Sequence, residues 1–321
     1  MRPTGSKITC VGGAAVDRKL RSEASVVFGT SNPVRSERSF GGVARNVAEN
    51  LARLGAQCSL MSLLGNDENG RLILHHLNQV RVDTSLILIS EEYGTAEYTV
   101  VLQPDGNIAL GLADMSIFGT FSPELLQRAW PELASSSWIF ADCNLPAETI
   151  ADLLSLKRHH SPMLAVDAVS KSKALHLPPD LRGIDALFLN SDEARSLLGQ
   201  DSDDAFSAIE AAVSLRQRGA ARVILTCGAA GLIAADELEV EFIRAEGTQV
   251  IDVTGAGDSL IAATLLGLMK GNPLAISARL GMVAARLTIE HSASVRPDLS
   301  LALLKASMPS IQNLILEQGF P

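Results

Sequence analysis

The stretch Ile251-Asp252-Val253-Thr254-Gly255-Ala256-Gly257-Asp258-Ser259 decides how this chain reads. Two glycines flank a small residue directly before an apolar run, residues 260–269, that has the character of a helix. Small residues let a backbone come close to a ligand. The first N–H groups of a helix lack intrahelical partners, and with the helix dipole they form an anion site. Asp258 falls in the first turn. A carboxylate there can take a proton from a hydroxyl while the amides hold a transferring anion. The residues alone equally allow an ordinary helix start, because Asp favours first turns.

Outward from this stretch, a second helix is expected over 273–290 and a terminal one near 300–317. Upstream, the pattern alternates. Helix 122–133 precedes strand 138–142, and helix 146–158 precedes strand 163–167. Strand 186–189 precedes helix 191–198, and helix 203–218 leads to strand 222–226. Strands 231–235 and 240–243 follow. Such alternation predicts an α/β fold, a three-layer α/β/α core around a mostly parallel sheet. In such sheets ligands sit at the carboxyl ends of the strands.

The first half opens with Ile8-Thr9-Cys10-Val11-Gly12-Gly13, read as a core strand. A helix is predicted over 43–54, a strand over 58–64 and a helix over 70–80. Strands are expected over 86–89, 96–102 and 107–112, the last two joined by the hairpin Gln103-Pro104-Asp105-Gly106. Val26-Val27-Phe28 reads as a further strand. Pieces 19–40 and 95–113 break the helix–strand rhythm and predict a small discontinuous β appendage. The core then comprises 8–18, 41–94 and 114–317.

The chain has 321 residues, 27 Lys+Arg against 36 Asp+Glu, and a formal charge of −9. An acidic chain without a basic run, with 4% aromatics, speaks against a nucleic-acid partner. A small phosphate ligand remains open to it through local amides. No apolar run reaches the ~18 residues of a membrane span. The polar start shows no signal peptide, so a soluble, cytoplasmic protein is expected. Cys10, Cys58, Cys143 and Cys227 are scattered through apolar surroundings and read as buried free thiols, not zinc ligands. His75 and His76, on a predicted helix without a carboxylate at ligand spacing, read as surface residues.

Two further glycine-rich pieces carry chemistry. Gly41-Gly42-Val43-Ala44-Arg45-Asn46 opens a helix with Asn46 one turn in, a donor and acceptor suited to sugar hydroxyls. Gly12-Gly13-Ala14-Ala15-Val16-Asp17 lacks GxGxxG spacing and no helix pattern follows it, which excludes a Rossmann dehydrogenase. Asp17, read at a strand end, can accept hydrogen bonds from sugar hydroxyls.

Together these pieces resemble the ribokinase (PfkB) family of carbohydrate and nucleoside kinases. The glycines with Asn46 are similar to its N-terminal signature, and Asp252 to Asp258 to its DTxGAGD signature. Asn190-Ser191-Asp192-Glu193 is similar to its NxxE motif, and Thr226-Cys227-Gly228 with Gly231 to its nucleotide-side strand and turn. Within the family, Ser31-Asn32-Pro33, Gly41 to Leu54, Ala113-Asp114-Met115, Ala141 to Asn144, Val166 to Lys173 and Pro297 to Ser300 resemble the branch that phosphorylates pseudouridine. Ala15 departs from the family, which often carries Asn there.

The resemblance implies transfer of the ATP γ-phosphoryl group to the 5′-hydroxyl of a nucleoside, pseudouridine. The alternatives are a family kinase acting on ribose or an ordinary nucleoside, and a non-catalytic sugar sensor. By position, Asp258 would be the base and the amides of Gly255, Ala256 and Gly257 the anion hole. Asp17, Gly41, Gly42 and Asn46 would hold the ribose, Ser31, Asn32 and Thr95 would face the nucleobase from a lid, and Asn144 would cover the sugar. Lys173, Asn190, Thr226, Gly228, Gly231, His291 and Ser292 would serve ATP. Glu193, with Asn190, would organise Mg²⁺ through water, and Asp252 with Thr254 would bind a monovalent cation such as K⁺. The family's lids often pair, which implies a homodimer, with small-molecule nucleoside and ATP as the other partners and no membrane.

Overall fold

The computed structural model describes residues 7–157, 162–200 and 207–308. Its first half runs β1 (Lys7–Val11), β2 (Ala15–Ser22), β3 (Val34–Gly41), α1 (Val43–Arg53), β4 (Gln57–Met61), β5 (Leu63–Gly65), α2 (Glu68–Gln79), β6 (Leu88–Ser90), β7 (Ala96–Leu102) and β8 (Ile108–Asp114). Then α3 (Pro123–Ala134), β9 (Trp138–Asp142), α4 (Ala147–Lys157), β10 (Met163–Asp167), α5 (Lys171–Ala174), β11 (Ala186–Asn190) and α6 (Ser191–Leu198) alternate. The chain continues through α7 (Ala208–Gln217), β12 (Val223–Thr226), β13 (Gly231–Ala235), β14 (Val240–Arg244), α8 (Ala256–Met269), α9 (Leu274–Ile289) and α10 (Leu301–Ala306).

The main sheet has the order β14-β13-β12-β11-β10-β9-β1-β4. Strands β4, β1, β9, β10, β11 and β12 are parallel, and β13 and β14 pair antiparallel at one edge. Successive residues of a strand face opposite ways, so Ile8 and Cys10 enter one core while Val11 enters another. The first core packs α1, α8 and α9 against the sheet, and the second packs α3, α4 and α7. That is the three-layer α/β/α arrangement the alternation predicts. Nearly all of α8 is buried, between the sheet and its neighbours α9 and α1. Among the described residues no helix is long and apolar enough to cross a membrane.

A separate four-stranded sheet has the order β3-β2-β7-β8. The β7–β8 hairpin forms as expected, with Gly106 N–H donating to Gln103 O at 2.9 Å. Val26-Val27-Phe28 is not a strand; the neighbouring strands are β2 and β3, joined by the loop that holds those residues. β2 is mostly half-exposed and β3 mostly exposed, so neither carries the apolar alternation by which a strand is read. What holds β2 is ladder bonding on both sides, to β3 and β7. The predicted strand 58–64 is broken at Ser62 into β4 and β5. Parts of the predicted helices 146–158, 203–218 and 300–317 lie outside the described residues.

Where the parallel strands end, Asp142 gathers the chain. Its carboxylate, fully buried at the end of β9, accepts from Gly13 N–H at 3.0 Å, Ala44 N–H at 2.8 Å and Asn144 N–H at 2.9 Å. One side chain thus caps α1 and fixes the loops after β1 and β9. Replacing Asp142 by Ala strands the buried Gly13 and Ala44 donors, at ~1–3 kcal/mol each, and frees the half-buried Asn144 amide. We expect Asp142→Ala to lose about 3 kcal/mol or more in urea unfolding; a loss below about 1 kcal/mol contradicts the assignment.

Candidate active site

Asp258 is placed by α8, whose N-cap Gly255 is left-handed at φ 79°. A Cβ at Gly255 would run into the Ser294 carbonyl, so only glycine lets the loop holding Ser294 close on this helix end. Ser259 N–H begins the regular ladder, to Gly255 O at 3.0 Å. Ala256 N–H makes a longer 3.3 Å turn bond to Val253 O. Among the described residues no backbone acceptor takes the amides of Gly255 or Gly257, which leaves both open to an anion.

From the other side comes α1. Gly42, at φ 89°, lets its backbone meet Gly13 where a Cβ would collide with the Gly13 carbonyl. One turn later Asn46 is buried and donates Nδ2–H to Asp258 Oδ2 at 2.6 Å. Burial pushes the Asp258 carboxyl up to about 6, against the pull of the Asn46 hydrogen bond and the Arg45 charge; the Asp142 and Asp17 charges push the same way as burial. Near neutral pH the carboxyl is therefore mostly ionised, with its protonated form close at hand, which suits a group that could take a proton.

Asp17 is the third residue of β2, opposite Ser39 and Tyr98, rather than at a strand end. Its carboxylate fills the space a side chain at Gly41 would need. Burial raises its pKa, and the Arg45 and Lys19 charges lower it.

A cavity of about 190 Å³ opens at the carboxyl ends of β10, β11 and β12. Asp258, Gly257, Asn190, Glu193 and Thr226, all singled out in the sequence, line it together. Asn190 and Glu193 form a reciprocal cap on α6. Asn190 Oδ1 accepts from Glu193 N–H at 2.9 Å, and Glu193 accepts from Asn190 N–H at 2.8 Å and Nδ2–H at 2.7 Å. Gly228 and Gly231 shape the turn after β12 with positive φ.

Asp167, which sequence reasoning missed, also lines this cavity. Burial raises its pKa well above the ordinary carboxylate range, and the charges of Glu193, Asp258 and Asp142 add to that. Its only sequence signal is an acid closing an apolar strand. Oxygen-rich and acidic, the cavity suits a hard cation such as Mg²⁺. Among the described residues no three His, Cys, Asp or Glu groups converge to chelate a metal. Asp167, Glu193 and Asn190 offer oxygen donors that would fit a magnesium ion retaining part of its water shell.

Several expected site residues are engaged elsewhere. Thr95 is buried and donates its hydroxyl to Asp67 Oδ1 at 2.8 Å while accepting from Gly65 N–H at 2.9 Å, so it braces β5 and α2. Asn32 bonds to the main chain of Val27 and Thr30, holding its own exposed loop, and Ser31 is exposed beside it. Lys173 does not line the cavity with Asn190 but donates Nζ–H to Asn144 Oδ1. Those two line a second cavity, of about 320 Å³, with Met115, Phe118 and His176. His291 accepts from Ala293 N–H at 3.0 Å through Nδ1, and neither it nor Ser292 lines either cavity.

Asp252 departs from the expected cation site. Its Oδ1 accepts from Thr254 N–H at 2.9 Å and Oγ1–H at 2.6 Å, and its Oδ2 accepts from Lys19 Nζ–H at 2.7 Å. The ammonium from β2 already neutralises this carboxylate. Asp252 and Thr254 thus fit a K⁺ ion poorly, because the charge that would draw it is spent on Lys19.

Comparison with known proteins places this geometry. Residues 6–300 match the model of the pfkB family carbohydrate kinases. The pseudouridine kinase of Escherichia coli K12 is 31% identical over 298 residues, covering 92% of this chain and 94% of that protein. Among solved structures, a carbohydrate kinase from Agrobacterium tumefaciens superposes with a TM-score of 0.84 at 31% identity, covering 94% and 96% of the two chains. The ribokinase of Thermotoga maritima shares the fold, with a TM-score of 0.79 at 18% identity over 94% of this chain and 99% of its own. Matched over residues 6–300 by the family model, and 31% identical to one relative over 92% of its length, the chain belongs to the pfkB family of carbohydrate kinases.

Proposed function

We propose that the chain transfers the γ-phosphoryl group of ATP to the 5′-hydroxyl of pseudouridine. The likeness to the Escherichia coli pseudouridine kinase over 92% of the chain carries the choice of acceptor. The site supports the chemistry. Asp258 Oδ2 is bound by Asn46, which leaves Oδ1 for the acceptor hydroxyl. As that hydroxyl oxygen attacks the γ-phosphorus, its proton passes to Asp258 and ADP leaves with the electron pair of the broken P–O bond.

The Gly255 and Gly257 amides receive the charge that develops on the phosphoryl oxygens. Asp17, Gly42 and Asn46 hold the ribose, with Asn144 at its edge. Asn190, Thr226 and Gly228 form the nucleotide side. Mg²⁺, when bound near Asp167 and Glu193, would neutralise phosphate charge and orient the leaving group. Asp258, Asp17, the Gly42–Asn46 helix start and Asn144 come from separate segments, so they act at fixed distances only because those segments are pinned together. Such positioning supplies most of phosphoryl-transfer catalysis.

The pH dependence follows from Asp258. Its carboxyl sits at about 6, and only the ionised form accepts a proton. Turnover per bound substrate should rise with pH through about 6 and level off above it, falling about tenfold per unit on the acid side. An acid limb at pH 4 or below would remove Asp258 as the base. The acceptor itself is tested by a panel of pseudouridine, uridine, adenosine, ribose and fructose with ATP. We expect pseudouridine to give the highest kcat/KM and its 5′-phosphate as product. Equal use of uridine, or preference for ribose, overturns the choice of acceptor and leaves the kinase assignment standing.

A further inference from the structure

Arg45 is an anomaly in the signature helix. It sits in the first turn of α1 with 1% of its surface exposed, deep for a guanidinium. Buried cations persist when their donors are satisfied, and here each nitrogen is. Nε–H donates to Gly41 O at 3.1 Å, Nη1–H to Glu49 Oε2 at 2.5 Å, and Nη2–H to Phe40 O at 2.8 Å and to Asn46 Oδ1.

Glu49 is itself fixed. It accepts from Arg53 at 2.9 and 2.7 Å, and His76 Nε2 lies 2.9 Å away. His76 is therefore a half-buried partner of Glu49 rather than the surface residue its sequence context suggested, whereas His75 is exposed beside Gln79. Burial pushes the Glu49 carboxyl up, but the His76 bond and the Arg45 and His76 charges outweigh it and hold it at about 2. The guanidinium is thus clamped in place by a permanent anion.

The geometry points to Arg45 as the residue that sets the Asn46 amide, and through it the carboxylate of Asp258. An Asn side chain can be turned end for end. With Arg45 donating to Oδ1, the Nδ2 end must face Asp258, where it donates at 2.6 Å. The opposite setting would aim Nδ2–H at a guanidinium N–H and the amide oxygen at a carboxylate, both repulsive. Arg45 therefore fixes which Asp258 oxygen is spent on the protein and which is left for the acceptor. It touches no reacting atom; it is a positioning residue. This rests on Asp258 being the base.

A double-mutant cycle tests it. Arg45→Met, Asn46→Ala and the double variant are compared in kcat and KM, using whichever acceptor the wild type turns over fastest. Arg45→Met should lower kcat about 10- to 100-fold, the scale of a misplaced catalytic group, with ADP affinity by calorimetry unchanged. In the Asn46→Ala background the same substitution should cost less than about threefold, because the amide it orients is gone.

Arg45→Lys guards against misfolding. It keeps the charge but lacks the planar fork, so it should fold and still lose kcat. Equal losses in both backgrounds, or a wild-type kcat in Arg45→Lys, would falsify the role. Asp258→Asn is run beside them: if that variant keeps its turnover, the base assignment fails; if it is inactive and the cycle is additive, only the role of Arg45 fails.

Discussion

The carboxylate of Asp142 accepts amide protons from Gly13, Ala44 and Asn144, and so brings the ends of β1 and β9 and the start of α1 to one point. Arg45 N–H bonds to Gly13 O at 3.1 Å, which seats α1 on the β1 loop. That seating carries Asn46 to Asp258, across 212 positions of sequence. The interaction is costly on its own, since burial raises the Asp142 pKa even against three donors. It persists because an ionised acceptor at a helix N-terminus satisfies amides that would otherwise be stranded.

Around this pin the site is an electrostatic compromise. Asp17, Asp142, Asp167, Glu193 and Asp258, from five segments, lie near enough to feel one another's charge, and burial raises the pKa of each. Arg45 opposes this at Asp17 and Asp258, while Lys19 opposes it at Asp17 and is tied to Asp252. A site built this way gains from binding a cation beside an anionic nucleotide, because the new charge relieves repulsion already present. The chain's net charge of −9 is thus no obstacle to holding ATP. On the proposed reading, local amides and a metal would do that binding.

What was legible in the sequence was what has a local cause. Gly255 and Gly42 need positive φ and close contact with a neighbouring backbone, so glycine pairs before apolar helices mark both sites. Asn190 and Glu193 were legible only through their likeness to a family motif, and their spacing of three is that of the reciprocal cap they form on α6. Roles that depend on partners distant in sequence stayed hidden. Asp142 and Asp167 look like any acid ending a strand. Arg45 looks like a solvated helix residue until Glu49 and Phe40 are seen around it. Thr95 carried over by position to the nucleobase, but its hydroxyl is consumed by Asp67, and Lys173 turns to Asn144 instead of the nucleotide-side cavity. The charged strands β2 and β3 have no apolar face to betray them, because ladder pairing, of β3 to β2 and of β2 to β7, rather than burial holds them in place.

The proposed function turns on one carboxylate, Asp258, placed between the glycine-rich start of α8 and the first turn of α1. Replacing it by its uncharged isostere is the most direct test. With Asp258→Asn, single-turnover transfer from ATP should fall by about 10²–10⁴-fold, while ATP affinity measured by calorimetry stays at the wild-type value. Transfer at near wild-type rate would contradict the account, because the proton of the acceptor hydroxyl would then be going somewhere else.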